Sequence, residues 1–317
     1  MGTKVASISA GVIGYSYALK FAMGGHEVWA QNRTEESSAL AKSRVEGSLQ
    51  ALVKNGVYTD EKAKEILSRI HYTTSVEEAV KDAMFIQESS AEHYDVKHEI
   101  VKQIEEFAPE DAVIASSTSG LLVTEIAKYA KHPERFVGGH PYNPPHLIPL
   151  VEITKGEKTE GWAVEKAKAF YTEIGMEPVV LQKEALGFIC NRLQMALYRE
   201  VVNLVLSGVC TVEDADKAVT FGPGIRWGIM GPSLVFELGG GQHGVSGLMT
   251  HLNDSISLWL NDMADWKSFP PETPKVLQDG VNEELSHRPE NIGNTHESLE
   301  EYRDKMLIEM LKLHGKL

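Results

Sequence analysis

The strongest constraint on this chain is a change of rhythm near residue 184. Upstream, from residue 4 to about 182, short apolar runs alternate with amphipathic stretches, and that alternation builds a mostly parallel sheet covered by helices on both faces. The strand candidates are Val5–Ser9, Glu27–Gln31, Met84–Glu88, Ala112–Ala115, Phe136–Gly139, Leu150–Ile153 and Pro178–Leu181. Helical spacing fills most of the gaps, over 35–54, 60–69, 75–81, 94–107 and 159–174. From Glu184 onward no convincing strand appears, while Ile189, Leu193, Ala196, Leu197, Val201, Leu204 and Val205 recur at helical spacing. The expected fold class is therefore α/β, a Rossmann-type doubly wound sheet over 1–183, followed by an all-helical domain over 184–317. Two glycine clusters, Gly222-Pro-Gly224 and Gly239-Gly-Gly241, break the helices of the second region, and the last helix is expected over 298–312.

Composition removes whole classes of function. A chain of 317 residues with 42 % apolar and 24 % charged residues is an ordinary globular protein, long enough for two domains. It has no apolar run of about 18 residues, and its N-terminus enters a strand pattern at Lys4 without a charged, apolar and cleavable leader. A cytoplasmic protein with no membrane partner is expected. The formal net charge of −14 repels phosphate backbones and argues against nucleic acid, though not against a local anion pocket. Two cysteines, Cys190 and Cys210, form neither a disulfide framework nor a metal site and are expected to be buried thiols.

The first strand runs into Ser9-Ala10-Gly11-Val12-Ile13-Gly14 and then a helix, the placement of a dinucleotide-binding turn. Gly11 lets backbone approach a pyrophosphate, Gly14 permits close helix–strand packing, and the helix N-terminus offers unpaired N–H groups. Ser9 stands where the tight turn normally has glycine, so it must avoid the left-handed region or carry strain. At the end of the second strand an NAD site usually places an acid for the ribose 2′-OH. This chain has Asn32-Arg33, which lacks the acid that would repel a 2′-phosphate and supplies a guanidinium, so the reading favours NADP(H).

The stretch from Gly138 to Glu152 carries the chemistry. Pro141, Pro144, Pro145 and Pro149 fix φ at four points between two apolar segments, making a stiff turn that holds His140 relative to Glu152. A histidine titrates near neutral pH, and a carboxylate on its second nitrogen sets its tautomer and raises its basicity; a separation of twelve residues suits two neighbouring strands.

With these residues in view, the chain resembles the 3-hydroxyacyl-CoA dehydrogenase superfamily over nearly its full length, and within it the carnitine dehydrogenases, then gulonate dehydrogenase and lambda-crystallin. The resemblance rests on Phe85-Ile-Gln-Glu-Ser-Ser90, Ser116-Ser-Thr-Ser-Gly-Leu-Leu122, Gly139-His-Pro-Tyr-Asn-Pro144, Leu150-Val-Glu152, Gly187-Phe-Ile-Cys-Asn-Arg192 and Gly224-Ile-Arg-Trp227. It implies that His140 is the general base or acid, Glu152 its orienting carboxylate, and Ser119 and Asn191 hydrogen-bond partners of the reacting oxygen. It also implies that Glu88 lines the nicotinamide side, that Asn143 stands beside the base, that NAD(H) is the family's default cofactor, and that the helical domain pairs two copies into a homodimer.

Two departures bear on substrate. The histidine is followed by Pro141-Tyr142 and a proline pair instead of two aromatics, as in the branch acting on polar acids, which disfavours an acyl-pantetheine. Arg226-Trp227 matches that branch too; an arginine fork suits a substrate carboxylate, and Trp227 and Tyr142 are candidate faces for a quaternary ammonium. The expected function is an NAD(P)-dependent dehydrogenase of a small polar 3-hydroxy acid. The alternatives are a 3-hydroxyacyl-CoA dehydrogenase and a non-catalytic, crystallin-like binding protein.

Overall fold

The structure, a computed structural model, describes residues 3–317. Its sheet uses β1 (Lys4–Ile8), β2 (Glu27–Gln31), β3 (Ile70–Thr73), β4 (Phe85–Glu88), β5 (Val113–Ser116), β6 (Phe136–Pro141), β7 (Leu150–Lys155) and β8 (Glu177–Val180). These eight strands lie in the order β3-β2-β1-β4-β5-β6-β7-β8. From β3 to β6 every pairing is parallel; β7 runs antiparallel to β6, and β8 returns parallel to β7. The doubly wound α/β reading is what the chain adopts, with β3 added. That strand escapes sequence reading because it is a four-residue edge strand with an exposed His71 and no clean alternation.

The helices of this region are α1 (Val12–Met23), α2 (Glu35–Lys54), α3 (Asp60–Ser68), α4 (Val76–Val80), α5 (Tyr94–Phe107), α6 (Val123–Ile126) and α7 (Gly161–Glu173). Three of them, α2, α3 and α4, start on a side-chain cap: the hydroxyls of Thr34, Thr59 and Ser75 accept the amides of Ser37, Lys62 and Glu78 at 3.1–3.2 Å. Along β4 the side chains alternate between two cores. Phe85 joins Tyr17, Phe21, Phe170 and Tyr171, while Ile86 joins Ile8, Ile104, Ile114 and Phe136. Stacking of Phe85 on Phe170, centroids 4.1 Å apart, closes the first of these.

Further helices follow: α8 (Cys190–Leu206), α9 (Val212–Val219), α10 (Ile225–Trp227), α11 (Pro232–Gly239), α12 (Gly244–Asp262), α13 (Thr273–His287) and α14 (His296–Leu313). The two glycine clusters fall at the breaks around α10 and between α11 and α12. Two compact units result, one made of residues up to 191 together with 304–317, the other of 192–303. The second half of α14 thus returns to the sheet unit, where Ile308 and Leu311 enter the core that also holds Leu49 and Leu52.

Candidate active site

The turn between β1 and α1 is tight. Ser9 takes φ 62°, a left-handed conformation that costs an L-residue about 1–2 kcal/mol, and its carbonyl accepts the Gly11 amide at 2.7 Å. Gly14 is obligatory for close packing, since a Cβ there would stand 2.7 Å from the Ser9 carbonyl oxygen; at Gly11 a Cβ would meet almost nothing. The N-terminus of α1 has no side-chain cap and no acidic residue in its first turn, so its amides and positive dipole end remain available. Val12 is exposed and Ile13 half-buried on that first turn. At the end of β2, Asn32 is buried with an unpartnered Nδ2, and Arg33 beside it is exposed. An uncapped helix end, an open glycine and an orphaned buried amide fit a dinucleotide: α1 would hold the pyrophosphate, and Asn32 and Arg33 the adenosine ribose.

On the antiparallel ladder His140 and Glu152 are direct cross-strand partners. His140 Nδ1 stands 2.7 Å from Glu152 Oε2, and both residues are buried. The other carboxylate oxygen, Oε1, accepts the amides of Ile189 and Cys190 at 2.8 and 3.0 Å, at the N-terminus of α8. Burial pushes Glu152 up, but the His140 hydrogen bond, the two amides and the charge of the imidazole outweigh it and hold the carboxyl below its usual range. An ionised Glu152 places the proton on Nδ1 and leaves Nε2 as the free nitrogen. Phe188 and Tyr142 flank the ring with centroids 5.4 and 6.1 Å away. The turn beyond contains a cis Asn143–Pro144 bond, with Asn143 exposed.

The same α8 start reaches a third predicted residue: Asn191 Nδ2 donates to the Ser119 carbonyl at 2.9 Å. Ser119 lies in the loop after β5, and its amide and hydroxyl both bond Glu92 Oε1, at 2.7 and 3.1 Å. Ser119, Asn191, Glu152 and His140 are thereby joined in one hydrogen-bonded sequence along the 189–191 segment. Glu92 belongs to no motif visible in the sequence. Its one signal is position: an acid in the loop following β4, at the carboxyl edge where ligands of such sheets bind. Glu88, in contrast, is fully buried, its oxygens on Lys97 Nζ at 3.0 Å, Ser116 Oγ at 2.6 Å and the Ser90 amide at 2.5 Å. It braces the end of β4 from inside. Arg226 and Trp227 lie on α10 in the helical unit, both exposed. Cys190 and Cys210 are free and half-buried.

A glycine turn on a doubly wound sheet, followed by a helical region and accompanied by a buried imidazole–carboxylate pair, defines the class: a dinucleotide-binding oxidoreductase. The family profile described as 3-hydroxyacyl-CoA dehydrogenase, NAD binding domain, matches residues 4–185, and the companion C-terminal domain matches 187–278. The chain belongs to the 3-hydroxyacyl-CoA dehydrogenase family and is an NAD-dependent oxidoreductase acting on CH–OH groups. L-carnitine dehydrogenase of Streptomyces coelicolor is 38 % identical over 315 residues, covering 99 % of this chain and 95 % of that protein. The L-carnitine dehydrogenase of a Pseudomonas species is 38 % identical over 98 % of this chain and 93 % of its own. Among solved structures, an NAD⁺-dependent 5-formyl-3-hydroxy-2-methylpyridine 4-carboxylic acid 5-dehydrogenase superposes with TM-score 0.78 at 27 % identity, covering 99 % of this chain and 98 % of the other. Escherichia coli 3-hydroxybutyryl-CoA dehydrogenase gives 0.69 at 26 % identity over 89 % of this chain and 57 % of its own. Among the described residues no helix is long and apolar enough to cross a membrane.

Proposed function

We propose that this dehydrogenase interconverts the 3-hydroxy and 3-oxo forms of a small free polar acid, carnitine-like or gulonate-like, with His140 as the proton-transfer group. The observation that carries the reading is the His140–Glu152 pair, a cross-strand contact with the imidazole Nδ1 committed to the carboxylate at 2.7 Å. When bound, the nicotinamide supplies the hydride acceptor or donor. Nε2 of His140 takes the hydroxyl proton as the alcohol is oxidised and returns it on reduction, while ionised Glu152 stabilises the imidazolium formed between. The Ser119 hydroxyl and the Asn191 side chain orient the reacting oxygen, and Glu92 in turn positions Ser119. Asn143, Arg226 and Trp227 serve the substrate, the guanidinium pairing with its carboxylate.

A free acid is favoured over a thioester by Pro141 and the Pro144–Pro145 pair beside the base, and by relatives named L-carnitine dehydrogenase that align over nearly the whole chain. For the cofactor, exposed Arg33 beside the buried, unpartnered Asn32 amide favours NADP(H) within an NAD-type site. Exposed apolar side chains on α11 and α12 support a homodimer formed through the helical unit.

Steady-state turnover of carnitine, gulonate, 3-hydroxybutyrate and acetoacetyl-CoA with each cofactor tests the substrate class. Fastest reduction of acetoacetyl-CoA would overturn it. His140→Ala should lower kcat by roughly 10²–10⁴-fold while the melting shift with cofactor persists. Turnover retained in that variant removes His140 from the chemistry. A larger melting shift with NADH than with NADPH would cancel the assignment of Arg33.

A further inference from the structure

Two consecutive residues of α1, Ser16 and Tyr17, reach the catalytic turn on opposite sides of His140. The Tyr17 hydroxyl donates to the carbonyl of Gly139, immediately before the histidine, at 2.9 Å. Ser16 Oγ accepts the main-chain amide of His146, on the far side of the turn, at 3.0 Å, and stands 2.7 Å from the Nδ1 of the same residue. Ser16 and Tyr17 are wholly inaccessible to solvent, and His146 is buried. The 139–146 segment is therefore gripped at both ends by the helix whose first turn offers its amides to the dinucleotide.

Stability alone does not call for this arrangement. A buried Ser–His contact spanning 130 residues must leave water and meet all its hydrogen bonds, whereas apolar side chains of similar size fill such a space without that demand. Polar contacts with fixed lengths and directions specify position in a way that a greasy contact does not. The Gly139 side of the clamp is equally crowded. Gln87 Nε2 also donates to the Gly139 carbonyl, at 3.2 Å, and Tyr171 bonds Gln87 Oε1 at 2.6 Å. A Cβ on Gly139 would lie 2.1 Å from the Tyr171 hydroxyl, so the backbone there is packed against α7 on one side and bonded to Tyr17 of α1 on the other.

We propose that Ser16, Tyr17 and His146 are positioning residues that fix His140 relative to the cofactor helix α1, so that the seating of the dinucleotide and the placement of the base are set by one rigid element. This inference rests on the assignment of His140 as the proton-transfer group. A misplacement of the base by about 1 Å is enough to cost on the order of 10²-fold in rate without touching ground-state binding. The clamp therefore acts on kcat, and on KM little.

The test uses the full-length protein with the best substrate of the screen above. Ser16→Ala and His146→Phe should each lower kcat by about 10–100-fold with KM and the cofactor-induced melting shift little changed. His146→Asn keeps an acceptor where Nδ1 stands and should recover most of the loss. Because both residues act through one contact, the double variant Ser16→Ala with His146→Phe should be no slower than the worse single variant. Should either prove insoluble, Tyr17→Phe, which removes only one hydroxyl, decides the matter with an expected loss in kcat of about 3–10-fold at unchanged cofactor affinity. Values of kcat within twofold of the parent overturn the clamp. So do losses that multiply in the double variant, that track cofactor affinity, or that His146→Asn fails to recover. Failure of the parent assignment looks different: His140→Ala would then itself retain turnover.

Discussion

The two units of this molecule treat their apolar surface in opposite ways. In the sheet unit large apolar side chains such as Phe21, Phe85, Ile114 and Phe136 are buried in two continuous cores, one on each face of the sheet. In the helical unit Leu234, Leu238, Leu258, Trp259 and Leu260 are each 59–71 % exposed, and buried apolar residues such as Val202, Val212 and Val235 are small. A helix can be amphipathic without having found its partner, because the stripe is written in sequence and the cover is supplied by something else. The sheet unit buries most of its apolar surface within itself; the helical unit leaves much of its own exposed.

Perturbations of the sheet unit should act within one chain, and the largest is expected at Glu152. On the proposed mechanism, Glu152→Gln removes the charge that would support the imidazolium and should lower kcat by about 10²-fold or more at any protein concentration, read from steady-state kinetics. Its carboxyl lies below the usual range in the fold, so its contribution to stability is complete above the ordinary carboxyl value and is lost as pH falls through its lowered one. Glu152→Gln should accordingly flatten the acid limb of a pH–melting curve, and an unchanged limb would remove the carboxylate from that balance.

Lys20 on α1 comes next. Burial first, and then the nearby Lys316, lower its ammonium from 10.5 to about 8. The unfolded chain binds more protons between those values, so the parent protein gains stability as pH rises from about 8, until the buried tyrosines Tyr17 and Tyr171, whose hydroxyls are held protonated, oppose it above about pH 10. Lys20→Met should stabilise by up to about 3 kcal/mol at pH 7, with the advantage shrinking toward pH 10. An advantage that does not vary with pH would refute the electrostatic origin.

In the helical unit the measurement of choice depends on concentration. Leu258→Ala should cost under about 0.5 kcal/mol if the side chain is solvated and more than about 1 kcal/mol if a second copy covers it. Light scattering at falling concentration separates these outcomes, and a monomer with unchanged stability would show that the exposed apolar side chains of the helical unit are solvated. The smallest effect belongs to the cofactor turn. Ser9→Gly relieves a left-handed serine at the expense of unfolded-chain entropy, for a net gain below about 1 kcal/mol in a denaturant titration; a destabilised variant would mean that the serine side chain contributes there.

How much of this was legible depended on range in sequence. The glycine turn, the alternation that makes the sheet and the His140–Glu152 pair all show in the sequence, because strand register and proline stiffness are local and the pair sits across one antiparallel ladder. Glu88 and Glu92 show where that legibility stops. Glu88 ends β4 and Glu92 lies in the loop after it, and nothing in their spacing says that Lys97 and Ser116 bond the buried first while the second grips Ser119. β3, a short edge strand, lacks the periodicity that makes longer elements visible. The Ser16–His146 contact joins residues 130 apart and leaves no pattern in a single sequence.

The return of α14 to the sheet unit sets an order of events during synthesis. Ile308 and Leu311 belong to the core that also contains Leu49 and Leu52, so the strands and helices before residue 191 cannot close that core until residues 304–313 have also left the ribosome. The helical unit is an excursion between two halves of one fold. Until α14 docks, the nascent sheet carries an uncovered apolar seam, and a chain cut off at residue 303 would keep that seam for good.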